Sequence, residues 1–187
     1  VVLLPPPAQG RLSGSPEVLR IEDDALVFAL PKPPKPPPSP PPAQVVPWGV
    51  DRIDAEYAWG TTTGAGVKVA VVDTGIDYTH PDLDYNCKGG VNTINLRKSY
   101  KDDNGHGTHV AGIIAAEDNE IGVVGVAPDA WLYGVKVLNA AGSGFVSDVI
   151  EGITWCIDNG MSIINMSLGG SSGSTALGRK PKAKPFT

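Results

Sequence analysis

The stretch Val67-Lys68-Val69-Ala70-Val71-Val72-Asp73-Thr74-Gly75 decides the fold. Val67 to Val72 is almost continuously apolar and β-branched, which suits a parallel strand buried on both faces. The run ends in a carboxylate, Asp73, with Gly75 to turn the chain. In open α/β sheets, ligand and catalytic groups collect at the carboxyl ends of the strands. Taken alone, an aspartate there is an ordinary turn cap.

Further along, Asn104-Gly105-His106-Gly107-Thr108-His109-Val110-Ala111-Gly112 brackets one histidine with glycines. Val110, Ile113 and Ile114 recur at i, i+3 and i+4, so Val110 to Ala116 is expected to form a buried helix with His106 in its first turn. Gly105 and Gly107 leave the backbone beside the ring uncrowded. A lone histidine is more often a structural core residue. Together, however, Asp73 and His106 offer an orienting acid and a general base. The acid would hold one ring nitrogen so that the other takes a proton from a nucleophile.

These two motifs resemble the aspartate and histidine signatures of subtilisin-type serine proteases, the subtilases. Asn165-Met166-Ser167-Leu168-Gly169-Gly170 resembles the family's substrate-binding segment, and the likeness runs from about Ala43 to Leu177. It implies an α/β fold with a doubly wound, mostly parallel sheet, of which this chain holds about the N-terminal half. It also implies peptide-bond hydrolysis by acyl transfer, with Asp73 orienting His106 and His106 serving as base and then acid. Gly142, Ser143 and Gly144 match one wall of the peptide cleft, on which substrate lies as an added strand. Ser167, Leu168 and Gly169 match the other wall.

The family's nucleophile motif, of Gly-Thr-Ser-Met-Ala type, and its oxyanion asparagine have no counterpart in these 187 residues. Ser167, Ser171, Ser172 and Ser174 match the nucleophile by residue type only. The chain by itself is therefore expected to be inactive. The alternative from a different class is a non-catalytic peptide-binding protein, or the product of a dead gene.

Glu117 to Val123 is an acidic, oxygen-rich loop able to turn around a hard cation. The resemblance implies structural calcium held by Gln44, Asp82, Glu117, Asn119, Ile121 and Val123, the odd-numbered positions mostly through backbone carbonyls. His80 is expected to serve as a hydrogen-bonding loop residue in preference to a metal ligand.

The organisation expected is a propeptide remnant over 1–30, a linker over 31–42, the catalytic domain over 43–177 and an unmatched basic tail over 178–187. Within the first part, Val18 to Leu30 reads as a strand, an acidic turn at Glu22-Asp23-Asp24 and a second apolar run. It resembles the end of an inhibitory propeptide, with an ordinary hairpin as the alternative. The linker has nine prolines in twelve residues, which makes a polyproline II spacer. A ligand for an SH3-like partner is the other reading. Inside the domain, Asp54 is expected to cap a helix through Trp59 and Ser147 a helix through Asn159. Further strands are expected over 86–91, 130–138 and 161–168.

Hydrophobic residues make up 41% of the chain, and no apolar stretch is long enough to cross a bilayer. Fifteen basic against twenty acidic side chains, a net charge of −5, argue against a nucleic-acid binder. Cys87 and Cys156 form no CxxC pair and read as small buried thiols. The partners implied are protein or peptide substrates and the chain's own propeptide, with no membrane and with a monomeric state when complete. No secretory signal is visible, so a secreted location follows from the resemblance alone.

Overall fold

The structure, a computed structural model, describes residues 8, 9, 12–16, 18, 20–30 and 42–170. In chain order its elements are β1 (Leu26–Ala29), α1 (Trp48–Asp51), α2 (Glu56–Trp59), β2 (Lys68–Asp73), β3 (Cys87–Asn92), α3 (His106–Ala115), β4 (Trp131–Lys136), β5 (Ser143–Phe145), α4 (Val146–Asp158), β6 (Ile163–Asn165) and β7 (Leu168–Gly169).

Four of the strands form a wholly parallel sheet in the order β3-β4-β2-β6. β2 is central, and every residue from Val69 to Asp73 is buried. Its alternation explains why the apolar run is continuous. Val69 and Val71 face one core, with Val110, Ala111 and Ala115 of α3. Ala70 and Val72 face the other, with Val146, Val149 and Cys156 of α4. Helices thus cover both faces, as a parallel sheet requires, and the doubly wound α/β architecture expected from the sequence is the one formed.

The remaining strands form a second, antiparallel sheet in the order β5-β1-β7. Here the first strand read within Val18 to Leu30 is corrected, and the alternative of an ordinary hairpin goes with it. Among the described residues of that stretch only Leu26–Ala29 is strand, and it pairs with β5 and β7 instead of with its own first arm. The expected strand over 161–168 is likewise split. Ile163–Asn165 stays on β2, whereas Leu168–Gly169 leaves the sheet to pair with β1.

Two capping expectations also fail. Asp54 lies in the left-handed region at φ 56° between two short helices, and α2 is preceded by Ala55 with no side-chain cap. Ser147 lies inside α4, not ahead of it. Its N–H and hydroxyl both donate to Asp24 of the leader, at 2.9 and 2.5 Å. The strands expected at 86–91 and 130–138 are found as β3 and β4. Cys87 is partly exposed and Cys156 buried, both as free thiols. The proline spacer over 31–41, Ser171, Ser172, Ser174 and the basic tail lie outside the described residues.

Candidate active site

Asp73 ends β2 and His106 begins α3, so the sheet and a helix terminus bring the acid and the imidazole together. His106 Nδ1 lies 2.7 Å from Asp73 Oδ1 and 2.9 Å from Oδ2. Asp73 is wholly buried and the His106 side chain is 7% exposed. Burial pushes the Asp73 carboxyl above its ordinary value, against the pull of His106 and of the Thr74 N–H, which donates to Oδ1 at 2.7 Å. With Asp73 ionised, Nδ1–H donates to it and Nε2 is the basic nitrogen.

Two glycines make this approach possible. Gly105, which precedes the helix, adopts φ 96°, a conformation open to glycine at little cost. A Cβ on Gly107 would overlap the Gly75 carbonyl and come within 3.2 Å of Asp73 Oδ1.

The six cleft positions read from the sequence all surround β1. Val27 is registered with Gly144, Phe28 with Ser143 and Gly169, and Ala29 with Leu168. At the end of the strand, Ala29 N–H donates to the Gly142 carbonyl at 2.7 Å, and just beyond it Leu30 N–H donates to the Ser167 carbonyl at 3.3 Å. His106 shares a cavity of about 250 Å³ with Phe28, Ala29, Leu30, Asn104 and Gly142. β1 therefore runs as an extended strand between the two segments, and its end lines the same cavity as the imidazole.

The loop after α3 gathers most of the proposed cation ligands. Gln44 Oε1 accepts from Asn119 N–H at 2.5 Å. Asp82 Oδ1 accepts from Asn119 Nδ2 at 3.1 Å and Oδ2 from Val123 N–H at 3.1 Å. Ile121 and Val123 are held by bridges to Ala43 and Val45. The Glu117 carboxylate accepts from Tyr85 N–H at 2.9 Å, and Glu117 N–H donates to the Asp82 carbonyl at 3.0 Å. Burial, followed by the charges of Asp84 and Asp82, pushes the Glu117 carboxyl up. Asp82 is 4% exposed and has no ion-pair partner among the described residues. Asn119 turns its Nδ2, not its amide oxygen, to Asp82, and its Oδ1 accepts from Ile121 N–H at 2.8 Å. By residue type, one carboxylate and two side-chain amides suit a hard cation such as calcium. His80 Nδ1 accepts from Asp82 N–H at 3.2 Å, a loop hydrogen bond of the kind expected for it.

Sequence reading missed three groups. Asp24 reaches Ser147 across the cleft. Lys136, at the end of β4 and registered with Asp73, buries its ammonium among the carbonyls of Thr74 and Leu138. Asp102 collects donors from the turn before His106 and from the threonines beside the pair. Loop polarity before the histidine was the available signal for Asp102, but the pattern of donors belongs to the fold.

Comparison with known proteins shows the family. The Peptidase S8 model, that of the subtilase family, matches residues 64–184. Alkaline protease of Alkalihalobacillus alcalophilus is 49% identical over 177 residues, 94% of this chain and 43% of that protein. Subtilisin Savinase of Lederbergia lenta is 56% identical over 136 residues, 72% of this chain and 49% of that protein. Subtilisin E of Bacillus subtilis (strain 168) is 55% identical over 138 residues, 72% and 35% respectively. The chain spans less than half the length of each of these relatives. No helix among the described residues is long and apolar enough to cross a membrane.

Proposed function

The chain belongs to the subtilase family, and from that premise we propose that it carries the acid–base pair and the peptide cleft of a serine endopeptidase. Asp73 orients His106. His106 takes the proton of a serine hydroxyl as it attacks the scissile carbonyl, then returns that proton to the leaving amine. The serine belongs to the family's Gly-Thr-Ser-type motif, so the 187-residue polypeptide alone does not turn over. The observation that carries the reading is the 2.7 Å contact of His106 Nδ1 with buried Asp73, set beside a cleft in which a peptide strand lies. A protein that only binds peptide has no need of such a pair.

The same reading makes β1 the end of an inhibitory propeptide, occupying the cleft as substrate would. Its strand is held by main-chain hydrogen bonds to both walls, the general mode of strand addition, and by Val27, which is 4% exposed. Calcium is the cation proposed for Gln44, Asp82, Asn119 and the main chain at Glu117, Ile121 and Val123. Bound there, it would tie the start of the domain to the loop after α3, a purely structural service. Secretion and a monomeric state complete the proposal.

The test is a chimera in which residues 43–170 replace the matched portion of Subtilisin Savinase. It is expected to hydrolyse peptide substrates, and His106→Ala is expected to lower kcat by about 10⁶-fold, as loss of the base does in a serine-protease triad. A chimera that melts cooperatively and binds peptide without turnover would return the peptide-binding alternative. Turnover indifferent to His106→Ala would remove the proposed base.

A further inference from the structure

We infer that Asp102 is a positioning residue that sets the Asp73–His106 contact through the hydroxyl of Thr74, an inference that rests on the acid–base reading of that pair. The N-terminus of α3 needs an acceptor, because Gly105 precedes it and brings no side chain to cap it. Asp102 supplies one from the preceding turn. Its Oδ2 accepts from Thr108 N–H at 3.0 Å and from Thr108 Oγ1 at 2.6 Å. Its Oδ1 accepts from Asn104 N–H at 2.9 Å, Gly105 N–H at 2.8 Å and Thr74 Oγ1 at 2.9 Å. Five donors thus meet on one carboxylate.

The direction of these bonds matters more than their number. An ionised carboxylate only accepts, so both threonine hydroxyls must spend their protons on Asp102. Their lone pairs are thereby aimed elsewhere. Thr74 Oγ1 accepts from Gly107 N–H at 2.9 Å, and Thr108 Oγ1 accepts from Asp77 N–H at 2.9 Å. Thr74 follows Asp73, and Gly107 follows His106. The bond from Gly107 to Thr74, polarised by Asp102, therefore clasps the residue after the acid to the residue after the base. Burial alone would push the Asp102 carboxyl up, but its donors, led by Gly105 N–H and the Thr108 hydroxyl, hold it below the ordinary value. The group thus stays in the acceptor form the chain of bonds requires. Asp102 touches neither Asp73 nor His106 in this network and acts through others.

The experiment is ¹H,¹⁵N NMR of the imidazole of His106 in the full chain, beside kinetics of the chimera. The wild-type chain is expected to show a downfield Nδ1–H resonance from the bond to Asp73. Asp102→Asn places an NH₂ against at least one donor and is expected to lose that resonance with the fold retained. Thr74→Val removes the clasping hydroxyl and is expected to act alike, whereas Thr74→Ser keeps the hydroxyl and the resonance. In the chimera, Asp102→Asn is expected to lower kcat by about 10- to 100-fold, the scale of a small misplacement, with little change in KM. Asp73→Asn separates the two failures. If it leaves the resonance unmoved, the acid–base pair itself falls. If it removes the resonance while Asp102→Asn and Thr74→Val do not, only the positioning role falls. Should Asp102→Asn fail to fold, the contrast between Thr74→Val and Thr74→Ser decides alone.

Discussion

Lys136 donates to the carbonyl of Thr74 across 2.6 Å, one residue beyond the acid of the pair. The same ammonium donates to Asp103 Oδ1 at 2.6 Å and to the Leu138 carbonyl at 3.0 Å, and the residue is 5% exposed. One cation thus joins the ends of β2 and β4 to the turn that precedes His106. Lys136→Met keeps most of the apolar stem but leaves two buried carbonyls short of a donor. It is expected to destabilise the chain by about 1–3 kcal/mol, read from the urea midpoint. Asp103 is half exposed and turns to water, so Asp103→Asn is expected to cost much less.

Gly107 is fixed by space. As a residue within α3 it would gain about 0.5–1 kcal/mol of helix stability from replacement by alanine. The added Cβ meets the Gly75 carbonyl and crowds Asp73, and overpacking of this kind costs about 1–3 kcal/mol. Gly107→Ala is therefore expected to lower the unfolding midpoint in spite of its better propensity. Gly112, where an added Cβ would meet only open space, is the control: Gly112→Ala is expected to raise the midpoint.

The two faces of β2 were legible because burial on both sides leaves a sequence no room for polar alternation, and Val69 to Val72 has none. His106 at a helix start was legible from its bracketing glycines, but the spacing of Val110, Ile113 and Ile114 marked the buried face only in part. Ile113 is half exposed, and Ala111 and Ala115 complete that face. The place of β1 was not. Leu26 to Leu30 is uniformly apolar, so period cannot choose a face, and its partners Gly144 and Leu168 are remote in sequence. The caps failed for a related reason. Ser147 has the right chemistry to open a helix, but a carboxylate from the leader, Asp24, takes its donors. Asp102 is hidden in a polar loop where every residue looks alike until Thr74 and Thr108 are brought to it.

If β1 holds the cleft as a propeptide would, the peptide Arg20 to Leu30 should inhibit the chimera competitively. Val27 packs into the core beside α4, and burial of a valine is worth about 1.5–3 kcal/mol. Val27→Asp in that peptide is expected to raise the inhibition constant by about tenfold or more. Equal inhibition by both peptides would show that main-chain pairing alone sets affinity.

Calcium should stabilise the full chain through Asp82. A ligand at a hundred times its dissociation constant adds about 2.7 kcal/mol, so the urea midpoint is expected to rise with calcium and fall with a chelator. Asp82→Asn keeps the shape and removes the charge, and it is expected to abolish the response. A response that survives this change would place the cation elsewhere.

Asp73 should set stability against function. Its carboxyl is raised in the folded chain by burial, opposed by His106 and the Thr74 N–H. For an acid raised on folding, the native state binds the proton more tightly than the unfolded chain. Stability is therefore lost as pH rises from the unfolded value through the folded one, and the ionised group is a net cost at neutral pH. Asp73→Asn removes that cost while its amide oxygen still accepts from Thr74 N–H. The variant is expected to unfold at higher urea than the parent at pH 7, with the gap closing as pH falls below the unfolded carboxylate value. In the chimera the same change is expected to lower kcat by about 10⁴-fold, as loss of the orienting acid does in a serine-protease triad. A variant less stable at every pH would mean that the contact with His106 outweighs burial, and that the pair holds the fold as well as the proton.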